Sequence, residues 1–273
     1  MPDLYESGVW RRALKLDSSR LIPAALRSLG TVEEPKIEVK CFYAVSEEEK
    51  SELAAKLDWM FSFSEDLTAL YAFMDTDPLL RGVKERLYGL KAESMGATVF
   101  ESIVKAILQQ QISLRVSFWM TNSLVTKFGE HVKVNRLVYY DFPTPSTLAK
   151  ASLEQIRKCG LSWRKAEYIK GIAEQVVNGE FDPEGLKKLS NEEVMEELKR
   201  FRGVGTWTVE LVLCTGLKRN DVIPADDLGV KRTVSKFYSD GRNLSGDEVR
   251  ELTEKWGAFK KHIIYYLICA GKS

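Results

Sequence analysis

Residues 198–211 read Leu-Lys-Arg-Phe-Arg-Gly-Val-Gly-Thr-Trp-Thr-Val-Glu-Leu and lie between two segments of helical periodicity. Gly203 and Gly205 can adopt backbone conformations closed to other residues, which allows a tight hairpin and close approach of a ligand to the main chain. Amides at the start of the second helix then point outward, where they and the helix dipole favour a phosphate. Lys199, Arg200 and Arg202 add positive charge beside them. A glycine cap that ends one helix just ahead of the next accounts for Gly-x-Gly equally well.

Sixteen residues beyond Trp207, the run Ile223-Pro-Ala-Asp-Asp-Leu-Gly-Val-Lys-Arg232 places Asp226 and Asp227 at the predicted start of a further helix. The dipole stabilises an anion there. A fixed carboxylate facing developing positive charge is what glycosidic cleavage through an oxocarbenium-like transition state requires. Aspartate is also a favoured N-cap, so capping alone explains the pair too.

Outward from this core, everything from about Lys91 reads as helices joined by short turns. Thr98-x-x-Glu101 opens a helix with Phe100, Ile103, Val104, Ile107 and Leu108 at helical spacing, and Ser152-x-x-Gln155 opens another that stops at Gly160. A helix over Trp163–Val177 ends at Asn178-Gly179, Ser190-x-x-Glu193 and Ser245-x-x-Glu248 start two more, and Phe259–Ala270 reads as a buried terminal helix. The first part is different. Val9–Leu16 and Ile37–Val45 are β-rich, Ser46-x-x-Glu49 caps a periodic segment through Trp59, and Asp77-Pro78 begins a helix. The expectation is an α+β N-terminal domain over 1–90, with a small antiparallel sheet, followed by a mainly α-helical domain over 91–273 that carries the hairpin near 198–208.

Composition sets limits on function. The chain's 273 residues are 44% hydrophobic and 29% charged, as in ordinary globular proteins. Its apolar runs fall short of the roughly 20 residues that span a bilayer, and residues 1–7 lack the pattern of a secretory signal. A cytoplasmic, DNA-associated protein without membrane contact is expected. Net charge is only +1, yet residues 1–90 hold 12 Lys and Arg against 16 Asp and Glu, which leaves 28 against 23 for residues 91–273. That asymmetry permits nucleic-acid binding by the second part. Cys41, Cys159, Cys214 and Cys269 are far apart and accompanied by only two histidines, a poor set for zinc or an iron–sulfur cluster, so buried reduced thiols are expected.

Gly-Val-Gly-Thr-Trp-Thr followed at this distance by Asp-x-x-Val-Lys-Arg resembles the helix-hairpin-helix (HhH-GPD) DNA glycosylase superfamily, and more closely its AlkA-type 3-methyladenine DNA glycosylase II members. Ala106-Ile-Leu-Gln-Gln-Gln-Ile-Ser113, Phe142-Pro-Thr-Pro145 and Gly160-Leu-Ser-Trp-Arg-Lys-Ala-Glu-Tyr168 resemble further motifs of the same proteins, so the similarity spans roughly 95–270. The resemblance implies a helical HhH-GPD glycosylase domain acting, as a monomer, on damaged bases flipped out of double-stranded DNA. It places Asp227 at the catalytic aspartate, while Asp226 is out of register. Gly203, Gly205 and the Trp207 amide fall where the hairpin binds a phosphate. The carbonyls of Lys199, Phe201 and Val204 fall where it holds a monovalent cation, sodium or potassium, with no other cofactor required. Gln111 falls where a side chain fills the gap left by the flipped base, although glutamine at a helix end is commonly just exposed.

Trp207 occupies the position of the nucleophilic lysine of glycosylase/lyases and cannot form a Schiff base, so hydrolysis by water is implied. In AlkA-type enzymes a tryptophan here lines the base pocket, where its electron-rich face suits a cationic alkylpurine; a packing role is the plainer alternative. Leu211 and Ile268 stand where these enzymes carry further pocket aromatics, and the family's Trp-x-Pro-x-Arg appears as Trp256-Gly-Ala-Phe-Lys260. These departures leave substrate range open. A monofunctional glycosylase for deaminated or oxidised bases and a non-catalytic helix-hairpin-helix DNA-binding module are the alternatives.

Overall fold

Four strands form one antiparallel sheet in the order β1 (Leu4–Glu6), β2 (Val9–Lys15), β3 (Leu21–Ser28) and β4 (Ile37–Cys41) in the computed structural model, which describes residues 3–272. Ser7 and Gly8, both at positive φ, make the tight turn between β1 and β2. The β-rich segments predicted at Val9 and Ile37 are β2 and β4, the latter ending at Cys41 rather than Val45. The most buried strand, β3, carries Pro23, which argues against a strand in sequence. Pro23 escapes the usual penalty because its carbonyl accepts from Phe42 N at 3.0 Å, so its missing N–H faces the side where pairing with β4 has already ended at Ala24↔Cys41.

The chain divides into two compact units interleaved in sequence, where the reading expects two consecutive segments meeting at residue 90. The described residues up to Leu57, with Ile103–Gly185 and Phe201–Gly203, form one. Asp58–Ser102, Leu186–Arg200 and the described residues from Val204 onward form the other.

The first unit holds the sheet, the Leu114–Phe128 and Trp163–Val177 helices, and a second hairpin of His131–Val134 with Leu137–Tyr140. Arg12 is 1% exposed in its core. Its guanidinium donates to Asp141 Oδ1 at 2.8 Å and to Asp3 Oδ1 at 3.4 Å, while Asp141 Oδ2 accepts from the Lys15 amide at 3.0 Å. Removing Asp141 takes from this buried cation its carboxylate partner at 2.8 Å. Asp141→Ala is therefore expected to cost about 3 kcal/mol, read as a lower urea midpoint.

The second unit is helical and is built around Met74, Leu80, Val83, Val230, Val234, Trp256, Ile263, Tyr266 and Leu267. Asp77 caps the Pro78–Arg86 helix by accepting from Leu79 N and Leu80 N at 2.9 and 3.3 Å. Predicted capping boxes are formed at Ser190 and Ser245, and the terminal helix runs Lys260–Lys272. Tyr266, fully buried, donates to Leu90 O at 2.7 Å and so ties residues near 90 to that last helix. None of the four cysteines is in a disulfide; Cys159 and Cys214 are buried as expected, whereas Cys41 and Cys269 are half-buried. No helix among the described residues is long and apolar enough to cross a membrane.

Candidate active site

The hairpin forms because the Asn191–Lys199 helix must stop and turn. Its chain passes Arg200 and the buried Phe201, whose ring meets Phe181 edge-on at 4.8 Å, and then reverses at Gly203 with φ +83°. A Cβ at Gly203 would lie 2.0 Å from the Tyr168 ring, so both the backbone and the space demand glycine. Gly205 differs from the expectation: at φ −100°, ψ 177° it is extended backbone open to any residue, and a Cβ there would meet nothing within 4 Å. What Gly205 contributes is the lack of a side chain. It is the N-cap of the Thr206–Leu211 helix without a capping hydrogen bond, whereas Ser162, Ser190, Asp227 and Ser245 cap theirs. Gly205 thus offers the first-turn amides of this helix no side-chain acceptor.

Trp207 and Asp227 are brought together. The indole Nε1 donates to Asp227 Oδ2 at 3.2 Å. Asp227 is the N-cap of the Leu228–Tyr238 helix, and its Oδ1 accepts from Gly229 N at 2.7 Å and Val230 N at 3.1 Å. The two oxygens have different tasks: Oδ1 is fixed by the helix N-terminus, and Oδ2 is turned to the half-buried indole. One side chain thus caps the helix with one oxygen and meets the indole with the other.

Asp226 is engaged elsewhere. Its Oδ2 accepts from Arg250 at 3.0 Å and its Oδ1 lies 3.4 Å from Lys231 Nζ, and the Arg250 bond leads in holding its carboxyl below the usual range. Arg250 also donates to the buried Glu210 at 2.9 Å. Burial pushes the Glu210 carboxyl up, against the pull of Arg250. Glu210, Arg250 and Asp226 thus form one charged network. A glutamate between Val209 and Leu211 in a buried run signals a need for a cation, but nothing in the sequence points to Arg250 as its source.

Leu211, one turn after Trp207 on the same helix, is 9% exposed. Beyond it the helix widens into a π-helical turn over Val212–Gly216, closed by Leu217 N donating to Val212 O at 2.8 Å; such turns recur at functional sites. Ile268 lies half-buried on the Lys260–Lys272 helix against the apolar core of its unit. Gln111 is exposed just past the Val99–Gln109 helix with φ +55°. Backbone of that kind is uncommon for a residue other than glycine.

The model of the HhH-GPD superfamily of base excision DNA repair proteins matches residues 104–258, which include the hairpin and the capped aspartate. The chain belongs to that superfamily. It is similar to the 3-methyladenine DNA glycosylase of Archaeoglobus fulgidus over 99% of its own length and 90% of that chain, with a TM-score of 0.90 and 41% identity. The Schizosaccharomyces pombe 3-methyladenine DNA glycosylase solved with abasic DNA is similar over 73% of this chain and 94% of its own, with a TM-score of 0.63 and 26% identity. The Bacillus subtilis DNA-3-methyladenine glycosylase is 27% identical over 82% of this chain and 73% of its own length.

Proposed function

We propose that the chain is a monofunctional DNA glycosylase of the 3-methyladenine DNA glycosylase II type, which binds double-stranded DNA as a monomer and hydrolyses the N-glycosidic bond of a flipped-out alkylated purine. The observation that carries this reading is the Trp207–Asp227 pair, with one carboxylate oxygen anchored by the helix N-terminus and the other held beside the indole. Alkylation at N3 or N7 makes the base cationic and a good leaving group, so protonation by a general acid is unnecessary. The indole face attracts the cationic base, and Leu211 and Ile268 complete an apolar pocket. As the bond lengthens, positive charge develops on the sugar. A carboxylate that cannot swing away stabilises it without reorganisation and can take a proton from the attacking water.

Flipping costs a few kcal/mol. In this reading Gln111 fills the vacated space, while the amides of Gly203, Gly205 and Trp207 hold a backbone phosphate. The carbonyls of Lys199, Phe201 and Val204 would hold a monovalent cation, sodium or potassium, through neutral oxygens alone. Bound there, the ion would supply positive charge toward the phosphate, and no other cofactor is required.

The hydrolytic assignment has a direct test. With tryptophan at the lysine position, borohydride is expected to trap no covalent protein–DNA adduct, and the product strand is expected to break only on alkali treatment. A robust trapped adduct would show that another amine attacks the sugar. Comparing release from alkylated, hypoxanthine-, uracil- and 8-oxoguanine-containing duplexes separates the alkylpurine reading from one centred on deaminated or oxidised bases.

A further inference from the structure

The Val99–Gln109 helix ends in a turn that carries Gln111 in the left-handed region, an arrangement that persists only where the surroundings impose it. Two side chains impose it. Lys165 Nζ donates to Leu108 O and to Gln110 O, each at 2.8 Å, and so satisfies carbonyls at the end of the helix and in the turn beyond it. From the other side of the turn, Gln110 Nε2 donates to Gly203 O at 2.8 Å.

Lys165 is a costly residue at its own position. It lies in the first turn of the Trp163–Val177 helix beside Arg164, where the dipole disfavours a cation, and burial pushes its ammonium below the ordinary lysine range. At the end of the Val99–Gln109 helix the same charge is favourable, because it meets the negative end of that helix's dipole. One turn further along the Lys165 helix, Tyr168 lays its ring against Gly203, leaving no room for a Cβ. A single helix face therefore holds the turn bearing Gln111 with one residue and the turning point of the hairpin with another, and Gln110 bridges the two.

We propose that Lys165, Gln110 and Tyr168 are positioning residues that lock the Gln111 turn in register with Gly203 of the hairpin, so that gripping a DNA phosphate and inserting Gln111 into the base stack are coupled. This rests on the reading of Gln111 as the gap-filling side chain and of the hairpin as the phosphate grip. Loss of the coupling leaves phosphate contacts and their salt dependence in place and weakens insertion alone. A merely structural role would instead lower stability and every form of binding together.

The test uses the whole chain and a duplex in which a tetrahydrofuran abasic analogue is flanked by 2-aminopurine, whose fluorescence rises when its stacking is disturbed. Wild-type protein is expected to raise the signal. Gln110→Ala and Lys165→Met are expected to lower the insertion equilibrium about tenfold, as loss of a hydrogen bond to a charged or oriented partner implies. Affinity for undamaged duplex should stay within about twofold and its salt slope unchanged, since those report phosphate contacts. Lys165→Arg, which can still reach two carbonyls, is expected to restore insertion. Gln110 lies outside the helix, so its variant decides the matter even if Lys165→Met melts early. A wild-type response retained in Gln110→Ala overturns the coupling alone, whereas no response from the wild type overturns the Gln111 assignment and the coupling with it.

Discussion

Asp227→Asn is expected to lower single-turnover base release from alkylated duplex by ~10²–10³, with lesion binding largely intact. The variant keeps side-chain shape, and its amide oxygen can still accept from Gly229 N and Val230 N as Asp227 Oδ1 does at 2.7 and 3.1 Å, so the helix stays capped. What disappears is the charge, together with the acceptor 3.2 Å from Trp207 Nε1, because an amide nitrogen there would meet another donor. The carboxylate acts most strongly on the sugar when cationic character peaks, so the loss belongs to the chemical step rather than to binding. Loss of a base toward water adds to it. Asp226→Asn is expected to cost much less, because Asp226 already serves Arg250 and Lys231. Single-turnover excision paired with binding measurements separates the two; a larger loss for Asp226→Asn would reverse the assignment.

Gly203→Val is expected to weaken binding to damaged and undamaged duplex alike, by about tenfold or more, and to reduce the salt slope by about one phosphate. Two costs act together. Valine is strained at φ +83°, and its Cβ would lie 2.0 Å from the Tyr168 ring, so the turn must move. A phosphate contact carries no base information, which makes the loss uniform across sequences. Gly205→Ala offers the complementary measurement: its backbone is extended and its Cβ would enter open space, so stability is expected to stay unchanged. Titrations at several salt concentrations decide whether the hairpin is the grip; unchanged affinity in Gly203→Val would place it elsewhere.

Local features were legible in sequence wherever the physics is local. Ser190-x-x-Glu193, Ser245-x-x-Glu248 and Asp77-Pro78 each mark a helix start because the cap and the amides it satisfies lie within four residues of one another. The β3 strand was not legible: Pro23 is harmless only because β4 stops short of it, a fact about pairing rather than propensity. Periodicity likewise shows that the Pro78–Arg86 helix has an apolar face without showing what covers it. In the fold Leu80 and Val83 join Val234 and Ile263 in one core, which is why the compact units interleave.

The site divides in the same way. Asp227 and Trp207 were readable from motif spacing, and the fold adds the contact between them. Gly203 was readable as a turn, but the reason no other residue fits, the Tyr168 ring, is a long-range contact. The contacts of Arg250 with Glu210 and of Lys165 with Leu108 were not readable, since each joins groups distant in sequence.

Release of alkylated purines by hydrolysis is tested by the free bases themselves. Methylated duplex DNA incubated with the protein, followed by mass spectrometry of the released bases, is predicted to yield N3-methyladenine and N7-methylguanine, with release lost in Asp227→Asn. Absence of methylated bases under conditions where the protein binds that DNA would contradict it, as would equal release by Asp227→Asn.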